Sequence, residues 1–194
     1  MTDAQTPGTD QLVQAATAAA KTGGLPPVHL WNPPFCGDID MEIRRDGTWF
    51  HDGTPIGRPA LVRLFSTILK REGSRYFLVT PVEKVGIRVE DAPFVAQDFE
   101  VTGQGASQSV TFVTNVGDRV VVGADCPIRV ERDAEGTPRP YLHVRAGLEA
   151  LIDRKSFYRL VDLGEPGHIA DKGWFGLWSN GVFFPFVPLD ELTP

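Results

Sequence analysis

The 194-residue chain has only two cysteines, Cys36 and Cys126, and they lack the spacing of a zinc knuckle. Two cysteines without a secretion signal exclude a disulfide-stapled scaffold, so both are expected as free, partly buried thiols. The first 20 residues hold no Lys or Arg, and Gln and Thr interrupt their alanines. A secretory signal would show a basic start and an unbroken apolar run. Nowhere does an apolar run approach the roughly 20 residues that cross a bilayer. These absences lead to the expectation of a soluble cytoplasmic protein with no membrane partner. Basic charge is also short: 19 Lys and Arg face 25 Asp and Glu, for a net charge of -6. A duplex binder needs a basic face to replace phosphate counterions, so nucleic acid is not an expected partner. Catalytic signatures are missing as well. There is no G-x-S-x-G elbow, and neither cysteine has an identifiable histidine partner. The stretch GQGAS at 103–107 is glycine-rich, but no Lys-Ser/Thr follows it, so it does not read as a phosphate loop.

What is present is material for many short strands. Apolar residues make up 42% and charged residues 23%, which is globular composition. The 20 glycines and 16 prolines are scattered, and so mark frequent turns. Asp10 to Lys21 reads as a short helix with Asp10 as N-cap and Gly23-Gly24 as its stop. Its apolar face is poor, so it is expected to fray unless something packs on it. Arg58 to Arg71 reads as the principal helix of the first half. Pro59 suits a first turn, and Leu61, Leu64, Phe65, Ile68 and Leu69 form an apolar stripe. Arg75–Thr80 and Lys84–Glu90 read as strands, and Asp91-Ala92-Pro93 as a break. Further strands follow at meander spacing, with a second helix expected from Ala146 to Arg154 and on through Leu160. Its cations, Arg145, Arg154, Lys155 and Arg159, suggest either a phosphate-binding cluster or a solvated face. Arg58, Leu61, Leu64 and Phe65 share a spacing with Arg145, Leu148, Leu151 and Ile152, which suggests a repeated helix.

The segment GDIDMEIRRDGTWFHDG, Gly37 to Gly53, carries the most chemistry. Asp46-Gly47 is a favoured two-residue hairpin loop. Counting outward sets Arg44 opposite Trp49, Ile43 opposite Phe50 and Glu42 opposite His51. Residues directly opposite share a face. Ile39, Met41, Ile43 and Phe50 would then face the core. Asp38, Asp40, Glu42, Arg44, Trp49 and His51 would share the outer face, as a candidate ligand-binding surface. Carboxylates about 7 Å apart along a strand converge poorly on one ion, so no metal and no cofactor is expected. Two carboxyls at about 5 to 9 Å also meet the separation used by glycosidases, as any alternating acidic strand does. The C-terminal GWFGLWSNGVFFPF reads as a second hairpin turning at Asn180-Gly181. Both of its faces are apolar. Trp174, Trp178 and Phe183 share one of them and are candidate interface residues, with Gly176 marking either a bulge or a close backbone approach.

The stretches GDIDMEIRRDGTWFHDGTPIGRPALVRLFSTIL, YFLVTPVEKVGIRVEDAPF and LIDRKSFYRLVDLG resemble the bacterial family catalogued as domain of unknown function 1285. The resemblance runs from about Leu30 to Phe186. It implies two α+β units of related shape, a proposed part in regulation or signal transduction, and no established catalytic residues. The expectation is therefore an α+β protein of two tandem, structurally related units, each a mainly antiparallel sheet packed with one principal helix. Residues 1–27 form a lead-in, 28–93 the first unit and 94–194 the second. A non-enzymatic regulatory or ligand-binding module leads the functional readings. A hydrolase using the acidic hairpin face and an interaction subunit using the aromatic hairpin are the alternatives. Its partner would be a small molecule or a protein, including a second copy of the chain.

Overall fold

The computed structural model of the protein describes residues 9–20 and 24–192. Two compact units meet in the chain between Pro93 and Phe94. Both are α+β, with a mainly antiparallel sheet and a helix.

The first unit contains α1 (Thr9–Ala20), β1 (Phe35–Ile43), β2 (Trp49–His51), β3 (Thr54–Pro55), α2 (Pro59–Thr67), β4 (Leu69–Glu72), β5 (Arg75–Val79) and β6 (Lys84–Val89). Its six strands form one sheet in the order β3-β2-β1-β6-β5-β4. Every pairing is antiparallel except the central one, where β1 runs parallel to β6. The helix α1 begins one residue earlier than expected, so Asp10 sits in its first turn; Lys21 and Gly23 lie outside the described residues. Leu12 and Ala16, four apart on one helical face, are fully buried, and α1 packs on α2 rather than standing as a frayed appendage.

The principal helix is shorter than its apolar stripe suggests. It ends at Thr67, and Leu69 opens β4. Gly73, at φ +62°, forms with Ser74 the turn of a β4–β5 hairpin that sets Glu72 opposite Arg75. Leu69 and its partner Leu78 are both buried, so pairing with β5 takes precedence over continuing the helix. The first hairpin also departs from its expected register. Arg44 N–H donates to Thr48 O and Gly47 N–H to Arg44 O, so the loop holds three residues, Arg45, Asp46 and Gly47, with Gly47 at φ +83°. This turn closed by a left-handed glycine is the three-residue alternative to the two-residue loop. Ile43 then pairs with Trp49, Glu42 with Phe50 and Met41 with His51. The one-residue slip exchanges the faces of β2.

The second unit contains β7 (Phe94–Thr102), β8 (Ser109–Thr114), β9 (Arg119–Val121), β10 (Ile128–Arg132), β11 (Pro138–Arg145), β12 (Leu148–Ile152), α3 (Arg154–Asp162), β13 (Glu165–Ile169), β14 (Lys172–Ser179) and β15 (Val182–Pro188). Six strands form a sheet in the order β10-β11-β12-β7-β8-β9, with β12 parallel to β7. Read from the other edge, this is the strand order of the first unit: two three-stranded meanders joined through a parallel pair of first and last strands. The helix differs in place. In the first unit α2 joins the third strand to the fourth, whereas α3 follows the sixth.

The segment expected to open the second helix is the strand β12, which removes the second copy of the proposed helical repeat. Ala146 and Gly147, at φ +46° and +75°, form a tight turn after β11, and Leu148, Ala150 and Ile152 alternate inward. Helix α3 starts only at Arg154, where the Asp153 side chain accepts the Ser156 N–H at 2.7 Å. The four cations of this region do not form one helical cluster, although Lys155 and Arg159, four apart on α3, both act on Asp98. Arg145 lies on β11 and pairs with Asp118, while Arg159 on α3 bonds Asp98 at 2.5 Å. The strands β13, β14 and β15 form a separate three-stranded sheet. The Asn180-Gly181 turn pairs Trp178 with Phe183 and Leu177 with Phe184, as expected. A bulge at Gly176 then places Phe175 opposite Val187 rather than Phe186. A Cβ at Gly176 would lie 2.2 Å from Phe184 O, so only glycine permits this approach. Ser179, fully buried, bridges this sheet to the larger one: it accepts from Val110 N–H at 3.0 Å and donates to Val122 O at 2.8 Å.

Candidate functional site

Four of the candidate residues of the first hairpin lie together on the outer face of the first sheet, and each acidic one is matched by a cation from a neighbouring strand. Arg75 on β5 bonds Asp38 at 2.5 Å, and Arg88 on β6 bonds Asp40 at 2.8 Å. Glu42 lies 4.0 Å from both Arg88 and Arg44. Gly86 makes the first pair possible, because a Cβ there would sit 1.9 Å from Asp38 Oδ1 and 2.9 Å from Arg75 Nη2. Further along, Lys84 and Lys70 both reach the Glu72 carboxylate, at 2.9 and 3.1 Å, and hold its pKa below the ordinary glutamate value. This face is a lattice of cross-strand ion pairs. Among the described residues no group of three or more His, Cys, Asp or Glu is placed to hold a metal ion.

The other two candidates of that stretch are elsewhere, as the register requires. Trp49 is 1% exposed and stacks on Phe65 of α2, with centroids 6.2 Å apart and planes 20° from parallel. Its indole N–H finds no acceptor among the described residues. The aromatic under Arg44 is Phe50, 3.8 Å from the guanidinium carbon, not Trp49. His51 shares the face of Met41, away from Glu42, and is half-buried.

His51 instead helps to line a groove of about 420 Å³ in the first unit. The β2–β3 turn brings His51, Thr54 and Pro55 to it, the following loop brings Ile56 and Arg58, and α2 supplies Leu61 and Phe65. Asp10, in the first turn of α1, completes the rim. The floor is apolar, and Phe65 is fully buried against Trp49. Asp10 and Arg58 at the exposed rim have no side-chain hydrogen bond or ion pair among the described residues. Sequence reading missed this combination. Arg58, Leu61 and Phe65 register only as the start and stripe of a helix, and Asp10 only as a cap. The available signal was the turn-rich GTPIGRP joining a hairpin to a helix whose N-cap, Arg58, makes no side-chain capping bond.

On the third sheet, Trp174, Trp178 and Phe183 are half-buried on the face opposite the buried Leu177, Phe184 and Phe186. Phe183 packs against Trp178 at 5.2 Å and covers Gly167 and Gly176, where a Cβ would strike its ring. Cys36 and Cys126 are free and partly buried, and burial pushes the Cys126 thiol pKa up.

The fold and the grooves define an α+β protein of two units with a repeated strand order and, in its first unit, a depression of about 420 Å³ at Asp10, His51 and Arg58 together with a smaller one of about 340 Å³ on the outer sheet face between Glu42, Arg75 and Arg88. The chain belongs to the DUF1285 family: the model for its N-terminal domain, a domain of unknown function, matches residues 26–92, and that for its C-terminal domain, a protein of unknown function, matches 93–186. Helix α1 precedes the matched segment. The chain is similar to the crystal structure of a DUF1285 family protein from Silicibacter pomeroyi DSS-3, at 66% identity over 94% of this chain and 98% of that one, with a TM-score of 0.84. It is also similar to a DUF1285 family protein from Shewanella baltica OS155, at 31% identity over 63% of this chain and 90% of that one, with a TM-score of 0.51. No curated protein matches the sequence. No helix among the described residues is long and apolar enough to cross a membrane.

Proposed function

We propose that the protein is a non-enzymatic regulatory module that binds a small molecule in the groove of its first unit. The observation that carries this reading is a depression of about 420 Å³ with an apolar floor and unmatched charges at its rim. That volume falls within the roughly 300–1,000 Å³ of small-molecule sites. The acidic face of the first sheet supports ligand binding or hydrolysis less well, since Asp38 and Asp40 are each engaged by a guanidinium. Thermal-shift measurement across a metabolite panel tests the reading. A ligand that raises the melting temperature of the wild type but not of Arg58→Glu supports it. A stabilising ligand unaffected by Arg58→Glu, with chemical-shift changes remote from α2, would move the site elsewhere.

A second reading has one observation in its favour. The half-buried Trp174, Trp178 and Phe183 present an aromatic surface suited to a protein partner or a second copy. Sedimentation of wild type and Trp178→Glu at high concentration tests it: a wild-type dimer that the variant dissolves supports the reading, and a monomer in both removes it.

A further inference from the structure

We infer that the ligand of the first-unit groove is a small zwitterion with an apolar body, the class to which apolar α-amino acids belong. The inference rests on the groove reading above and specifies its chemistry. On the outer face of this unit's sheet the carboxylates are matched at close range: Asp38 by Arg75, Asp40 by Arg88, Glu72 by Lys84 and Lys70. At the groove the pattern changes. A carboxylate, Asp10, and a guanidinium, Arg58, line the same depression, yet neither pairs with the other or with another described residue.

Separate elements hold the two charges apart. Asp10 is fixed by α1, whose Leu12 and Ala16 are fully buried against the unit. Arg58 stands at the start of α2, where Pro59 sets the backbone. The same depression is lined by Ile56, Leu61 and the buried Phe65, which offer apolar contact and no charge. A ligand with a single charge would satisfy one rim group and leave the other beside it. A molecule carrying both an ammonium and a carboxylate satisfies both, while its side chain covers the floor. Hydrogen bonds to charged groups contribute about 1.5–3 kcal/mol, so losing one of the two contacts costs about tenfold or more in affinity. The volume of about 420 Å³ is at the small end for ligand sites, which favours a free amino acid over a nucleotide or peptide.

Isothermal titration of the full chain with three probes of one ring and different charge tests this: phenylalanine, 3-phenylpropanoate and 2-phenylethylamine. The leucine series, with 4-methylpentanoate and 3-methylbutylamine, serves if the ring is too large. The expected result is that the zwitterion binds about tenfold tighter than either singly charged analogue. Asp10→Asn should abolish the advantage over the acid, and Arg58→Gln the advantage over the amine. Both residues are exposed, so unchanged melting temperatures should accompany these losses. Equal binding of zwitterion and acid, unaltered by Asp10→Asn but weakened by Arg58→Gln, overturns the zwitterion and leaves the groove reading standing. Failure of every probe to bind also overturns the zwitterion, and the metabolite panel then judges the groove by itself.

Discussion

Single residues decide several local outcomes, and Gly86 is the clearest. Its missing Cβ leaves the space in which Asp38 meets Arg75. Gly86→Ala should lower stability by about 1–2 kcal/mol in urea titration, through overpacking. The lost ion pair adds little, because both side chains are more than half exposed. Asp38→Ala in the Gly86→Ala background should recover most of the loss; if it does not, the collision is not the cause. Ser179 holds two sheets of the second unit together. Ser179→Ala leaves the Val110 N–H without its acceptor, whereas Val122 O keeps the Asn180 side-chain amide at 2.7 Å. A cost of about 1–3 kcal/mol should follow, measured by chemical denaturation. Glu83 gives a pH signature. It is 8% exposed, and burial pushes its carboxyl pKa above the ordinary glutamate value. The folded state therefore holds the proton more tightly than the unfolded chain does, so stability falls as pH rises from the ordinary value through the raised one. Glu83→Gln should melt higher than wild type at pH 7 and together with it at pH 3. A variant that melts lower at both would show that the carboxylate is not a burden.

At the scale of elements, α1 positions half of the rim. It precedes the segment that matches the family and contributes Leu12 and Ala16 to the core and Asp10 to the groove. Leu12→Ser should loosen this helix without unfolding the sheet. Hydrogen exchange of α1 amides should accelerate while that of β5 and β6 stays slow. Zwitterion binding should fall to the level of the singly charged acid, as in Asp10→Asn. Elements also show where local pattern misleads. Leu148, Leu151 and Ile152 have helical spacing, yet Leu148 to Ile152 is a strand. The tight turn at Ala146-Gly147 and the pairing with β7 and β11 override that spacing. Leu69 is lost to α2 for the same reason, because its partner Leu78 is on the neighbouring strand. Hydrophobic spacing over five residues fits both periods, and only the partner selects between them.

At the scale of the whole molecule, the repeated strand order 3-2-1-6-5-4 is the main regularity. The helix lies at a different point of each unit, so the repetition is of sheets rather than of helices. Net charge acts at this scale too. With -6 overall and a pI near 5.2, the protein should pass a heparin column at pH 7 and low salt and be least soluble near pH 5. Retention on heparin would reveal a basic patch that the total conceals.

The sequence by itself determined the α+β class, the two-unit plan, most of the strands and the Asn180-Gly181 turn with its Gly176 bulge. The strands and the turn depend on turn chemistry and on alternation within a few residues, and such signals are local; the two-unit plan rests on the resemblance to the family, because the helical repeat that also suggested it is a strand in its second copy. Tertiary structure decided the register of the first hairpin, because a three-residue loop was as compatible with Arg45-Asp46-Gly47 as a two-residue one. That single step moved Trp49 into the core and His51 into the groove. It also decided that β1 and β6, and β7 and β12, run side by side, although about 40 or more residues separate each pair along the chain. The acidic stripe was legible as alternation, but its neutralisation by Arg75 and Arg88 was not, since those cations come from other strands. The groove was illegible for the same reason: Asp10, His51, Arg58 and Phe65 carry no common spacing, and only packing of α1 and α2 on the unit brings them to one place.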